Sequence, residues 1–191
     1  PSHEGGVGVD SYDDKMPSAW EETWGTSLDT GVDLISGVGG STSLEWKLPT
    51  VGSVTLAVAV APVNDGVQSS DKSGSGSVGG EAKGMGYDVT ININPAIGGD
   101  VLSGLNIFGG YSKITQEKDL DVGYTGHRNQ IALGATYAIG SLTFGYQHSK
   151  DSVSQVEGTN FYDNDAFGVS FNVNDDLSLS VGAHQSDKVN A

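Results

Sequence analysis

Cysteine is absent from the 191-residue chain, which removes disulfide frameworks, thiolate metal sites and a thiol nucleophile together. It does not sort compartments, because outer-membrane and cytosolic proteins both lack it often. Basic residues are scarce: nine Lys and Arg stand against 24 Asp and Glu, a net charge of −15. Such a chain repels phosphate backbones, so nucleic acid is not an expected partner. No run of 18 apolar residues occurs, so no transmembrane helix is expected. No signal peptide opens the chain either, which reads as a mature or truncated product. A Gly-x-Ser-x-Gly elbow is missing, and His3, His127, His148 and His184 are scattered without ligand spacing. Neither an enzyme nor a cofactor is expected.

What the chain does have, over residues 42–188, is a series of two-faced segments. In Phe167-Gly168-Val169-Ser170-Phe171-Asn172-Val173 the Phe and Val fall on one face and Gly, Ser and Asn on the other. Side chains alternate along a strand, so the two faces meet different surroundings. After Asn174-Asp175-Asp176 the pattern resumes with Leu177, Leu179, Val181 and Ala183 against Ser178, Ser180, Gly182 and His184. Upstream, Ile131 to Ile139 alternates, turns at Gly140-Ser141, and continues through Leu142, Phe144 and Tyr146. A further hairpin joins Tyr87, Val89, Ile91 and Ile93, through a turn begun by Pro95, to Leu105, Ile107, Gly109 and Tyr111. The first one joins Leu44, Trp46 and Leu48 to Val54, Leu56, Val58 and Val60.

The count is about eight strands of roughly ten residues, the length of a tilted strand crossing a bilayer. Between the hairpins lie long stretches rich in Gly, Ser, Asp, Asn or Gln, at residues 63–82, 115–127 and 152–162. Short turns alternating with long loops are what a transmembrane β-barrel leaves in a sequence. A β-sandwich also alternates, and a surface adhesin or other extracellular binding module of that kind is the rival reading. Its outward face usually carries Lys, Glu and Arg. Here the polar face is mostly Gly, Ala, Ser, Thr and Asn.

Residues 1–41 form a separate acidic segment, in which Glu4, Asp10, Asp13, Asp14, Glu21, Glu22, Asp29 and Asp33 face Lys15 alone. It has no period of two. Residues 17–26 read as a short helix with Trp20 and Trp24 one turn apart. A structureless stretch this long is usually functional or disordered, and disordered tails are poor in aromatics. Gly5-Gly6-Val7-Gly8-Val9-Asp10 matches the start of a calcium-binding nonapeptide. A single copy cannot stack into a roll, which leaves calcium at the acidic loops with little support.

The acidic Trp-bearing segment, followed by Leu44-Glu45-Trp46-Lys47-Leu48 and Gly52-Ser53-Val54-Thr55-Leu56-Ala57-Val58-Ala59-Val60-Ala61, resembles a proteobacterial general diffusion porin. So do Ala132-Leu133-Gly134-Ala135-Thr136-Tyr137, Phe144-Gly145-Tyr146 and Phe167-Gly168-Val169-Ser170-Phe171. The resemblance implies an all-β, antiparallel barrel of sixteen strands in the bacterial outer membrane, of which this chain is a central fragment. It implies passive diffusion of small hydrophilic solutes and ions, contact with outer-membrane lipid and lipopolysaccharide, and a homotrimer. It also implies that residues 1–41 are a constriction loop folded into the barrel, whose acids face basic residues on the far wall.

Parity places Glu45, Lys47, Asp88, Arg128 and His184 on the lumen face, since a Lys or Arg facing lipid at the midplane costs roughly 2–4 kcal/mol. Lys47 and Arg128 are the expected basic side of the constriction, opposite Asp10, Asp13, Asp14, Glu21 and Glu22. The excess of acid predicts a weak preference for cations. Trp46, Tyr87, Tyr111, Tyr137 and Phe171 are candidates for aromatic girdles at the two interfaces.

Overall fold

The computed structural model describes residues 7–12, 15–18, 35, 37–38, 43–62, 85–95, 102–116, 126–152 and 161–189. Eight strands run in chain order: β1 (Leu44–Lys47), β2 (Val54–Ala61), β3 (Gly86–Ile93), β4 (Leu105–Gln116), β5 (Gly126–Ile139), β6 (Leu142–Ser152), β7 (Phe161–Asn174) and β8 (Leu177–Val189). They form one antiparallel sheet in which each strand pairs with its neighbours in the chain. Among the described residues the chain is all-β apart from one 3-10 turn at Val9–Tyr12. Among the described residues no strand pairs with the outer edge of β1 or of β8, so the sheet is open. No helix among them is long and apolar enough to cross a membrane.

The hairpins fall where the alternation places them. Gly140-Ser141 joins β5 to β6, with Gly140 at φ 58°, a left-handed position that favours glycine at a tight turn. Strand lengths depart from the even ten residues expected, since β1 has four residues while β5 and β7 have 14 each. The long strands take in Gly126, His127, Phe161 and Tyr162 from stretches expected as loops. Backbone ladders need no apolar side chains, so a strand can continue past the point where its outward face turns polar. Thr115, Gln116 and Ser152 close β4 and β6, and the rest of those stretches, with the proposed helix beyond Ser18, lies outside the described residues.

Register fixes two faces. The outward face carries Leu44, Trp46, Leu56, Val89, Tyr111, Ile131, Leu133, Phe144, Phe167, Phe171, Leu179 and Val181, all exposed. Trp46 is 66% exposed and Val181 73%. The inward face carries Ala57, Ala59, Asp88, Thr90, Ser112, Gln130, Ala132, Gln147, Ser149, Asn164 and Ala166, all buried. An ordinary sheet buries its apolar side; this one buries the side of small and polar residues.

The apolar band also crosses the hydrogen-bonded rows obliquely. On β1 it reaches up to Leu44, whose row meets β2 at Val60. On β8 it stops at Ala183, whose row runs through Phe167, Tyr146, Ala135, Ile107 and Ile93 to Val54 on β2. Beyond it on β6, β7 and β8 the next outward positions are His148, Lys150, Asp163, Asp165, Gln185 and Asp187, before Phe161 and Val189 at the strand ends. The band therefore drifts by six residues, from Val60 to Val54, across the sheet. Spread over seven strand-to-strand steps of about 4.8 Å, at about 3.3 Å per residue, that drift inclines the strands by about 30° from the normal to the band.

Candidate functional site

The inward face is covered by the chain's own opening segment. Val9, Tyr12, Met16 and Ile35 pack with Phe108, Ala132 and Ala166, and Val38 packs with Ala59, Ala61 and Ile114. Phe108 and Ile114 are the large apolar side chains that β4 turns inward against its own polar alternation, and they are what the segment docks on. The 3-10 turn starts beside Gly8, whose carbonyl accepts from the Ser11 amide at 3.2 Å and hydroxyl at 2.7 Å. The turn sets Tyr12 against Phe108, with ring centroids 5.0 Å apart. The Tyr12 hydroxyl donates to the carbonyls of Gly109 at 2.8 Å and Ile91 at 3.2 Å. Burial pushes this phenol up to about 12.

Farther along, Pro17 lies over Gly145 and Gly168, which face each other across β6 and β7. A Cβ on Gly168 would stand 2.8 Å from the Pro17 carbonyl oxygen, closer than real contacts allow. The close approach of segment to wall thus depends on the missing side chains.

Polar ties complete the docking. Asp88, fully buried on β3, accepts from the Val9 amide at 3.0 Å, and both of its oxygens lie 3.2 Å from the Val38 amide. Thr90 donates to the Val7 carbonyl at 2.8 Å. The Gly37 amide donates to Gln130 Oε1 at 2.6 Å, and Gln130 Nε2 donates to Asp151 Oδ2 at 2.8 Å. Arg128 grips the same Asp151 through Nε, at 3.0 and 3.1 Å, and through its terminal nitrogen. A buried carboxylate with a bidentate guanidinium partner holds its geometry well.

All five expected wall residues lie on the inward face, but they do different things. Glu45 and Lys47 are exposed on β1, next to Ala59 and Ala57 in register. Glu45 Oε2 lies 3.4 Å from the Val7 amide. His184 is half-buried opposite Ala166. Arg128 was expected to look across a gap at the acidic segment; it is instead buried against Asp151, a residue the sequence reading did not single out. Asp88 was expected to line water and is instead covered by Val9 and Val38.

Of the expected acidic side, Asp13, Asp14, Glu21 and Glu22 lie outside the described residues, as do Trp20 and Trp24. Asp10 is described, and burial raises its carboxyl, with nearby Glu45 adding to the rise. Lys15 is lowered by burial and then by Lys47. Asp10 therefore lies near a second acid and Lys15 near a second base, both on β1. Among the girdle candidates Tyr87 and Tyr111 pair with centroids 6.3 Å apart; elsewhere on the outward face the rings of Tyr146 and Phe167 meet at 4.9 Å.

Among the described residues no nucleophile is aligned with a base. The arrangement offers a wall, a segment fastened along that wall, and charged side chains at the segment's margin. In comparisons with known proteins, no protein-family model matches the chain and no curated protein matches it.

Proposed function

We propose that the chain is part of the wall of an outer-membrane β-barrel of the general diffusion porin type. Small hydrophilic solutes and ions cross it passively, with a weak preference for cations, and the opening segment narrows the lumen. One observation carries the reading: the sheet leaves its apolar face bare while its own segment covers the polar face. Eight strands at about 4.8 Å by seven residues at about 3.3 Å give a band of roughly 900 Å². Soluble monomers rarely expose an apolar patch above about 300–600 Å². A β-sandwich would lay a second sheet on that face.

The oblique drift of the band agrees with this reading, since strands in membrane barrels incline by about 35–45°. Lipid and lipopolysaccharide are the partners that suit the bare face, and trimer formation would cover part of it. The test is reconstitution of the full-length protein into a planar lipid bilayer. Stepwise conductance with a cation-sided reversal potential in a salt gradient is expected. A protein that stays monodisperse without detergent and gives no conductance is a soluble binding module instead.

A further inference from the structure

We propose that Asp88 is the residue that sets the width of the pore, as a latch holding the opening segment at a fixed depth against the wall. This role rests on the channel reading above. One carboxylate on β3 receives amide hydrogens from two separate points of the segment, Val9 and Val38. An ionised carboxylate only accepts, so it can satisfy both donors together; an amide of the same shape must turn a donor of its own toward one of them.

The segment is shaped for that carboxylate. A Cβ on Gly8 would stand 2.5 Å from Asp88 Oδ2, and one on Gly37 would collide with the same oxygen and with Val9. Gly37 also has φ 55°, in the left-handed region where other residues are strained. Its amide is held by Gln130, which Asp151 and Arg128 fix in turn. The tie therefore spans β3, β5 and β6 and binds two consecutive amides of the segment, at Gly37 and Val38, to the same patch of wall that holds Val9. Asp88 is fully buried, so its charge serves the segment and not a passing ion.

Asp88→Asn and Gly37→Ala test the latch in the full-length protein, the second variant altering the segment while leaving the sheet's own side chains intact. Three quantities are read: hydrogen exchange at the Val9 and Val38 amides, single-channel conductance in planar bilayers, and the largest sugar that enters liposomes carrying the protein. Loss of one charge-assisted hydrogen bond should speed exchange by about 10- to 100-fold. Conductance should rise with it, and a larger sugar should pass. Faster exchange with unchanged conductance and sugar cut-off would make Asp88 a purely structural residue and overturn the proposal. So would unchanged exchange in both variants. A wild-type protein that conducts nothing removes the channel reading and this role together, whereas a conducting wild type matched by both variants removes the latch alone.

Discussion

Tyr12 meets Phe108 with its ring and the carbonyls of Gly109 and Ile91 with its hydroxyl, so one side chain joins the apolar and polar halves of the docking. Tyr12→Phe keeps the ring contact and loses the hydroxyl's bonds, which should weaken the segment's hold by about 1 kcal/mol. The hydroxyl's titration gives a second check. The phenol's ordinary value is 10.0 and burial raises it to about 12 in the folded chain. A group raised on folding contributes stability fully below its unfolded value and loses it as pH climbs through the folded one. The segment should therefore stay docked up to about pH 10 and loosen toward about pH 12, followed by tyrosinate absorbance and lost in Tyr12→Phe.

Arg128 belongs to the same scale. Asp151→Asn would leave a buried guanidinium without its counter-charge, at a cost of about 3–5 kcal/mol in urea unfolding. Lys47→Gln, at an exposed site, should change stability by no more than about 0.5 kcal/mol.

At the scale of the strand, what separates a lipid-facing from a water-facing sheet is the cost of charge on its bare side. Val181 on β8 is 73% exposed, and Ser180 points to the other face. In water, Val181→Arg at so open a site should move stability by less than about 0.5 kcal/mol. In a bilayer it should cost roughly 2–4 kcal/mol near the midplane, while Ser180→Arg is tolerated. Unfolding of both variants in lipid vesicles distinguishes the two cases, and equal stabilities would count against a membrane-facing β8.

The same alternation explains why the strands were readable. The side of Val181 or Phe167 is a local fact, repeated every second residue, and so are the turns at Gly140 and at Asn174. The docking was not local. Val9 and Asp88 are 79 positions apart, and nothing near either one announces the other. Arg128 and Asp151 share a strand pair, yet Asp151 stands opposite Gln130, and the contact depends on the long Arg128 side chain reaching it diagonally beneath a cover that parity does not reveal. The one legible hint was Phe108, a large ring at an inward position where its neighbours in register are Asn92 and Gly134. A polar face that turns inward a ring of that size has something apolar to bury against.

For the molecule as a whole, ion preference depends on where the excess acid sits. On the described inward side the charges nearly cancel: Asp10, Glu45, Asp88 and Asp151 against Lys15, Lys47 and Arg128. Asp151 and Arg128 neutralise each other at contact, and Asp88 is tied to backbone amides. What remains among these described residues is Asp10 with Glu45 nearby and Lys15 with Lys47 nearby. Most of the net −15 belongs to other residues of the chain, and a cation preference that they exert at a distance would come from a long-range field. Such a field is screened over about 10 Å at 0.1 M salt and about 3 Å at 1 M. The cation preference should then be measurable as a reversal potential in dilute gradients and should fade toward zero near molar salt. A preference that persists undiminished at molar salt would place the selecting charge within contact distance of the ion, at Asp10 or Glu45, and an anion preference at any salt would put Lys15 and Lys47 in control.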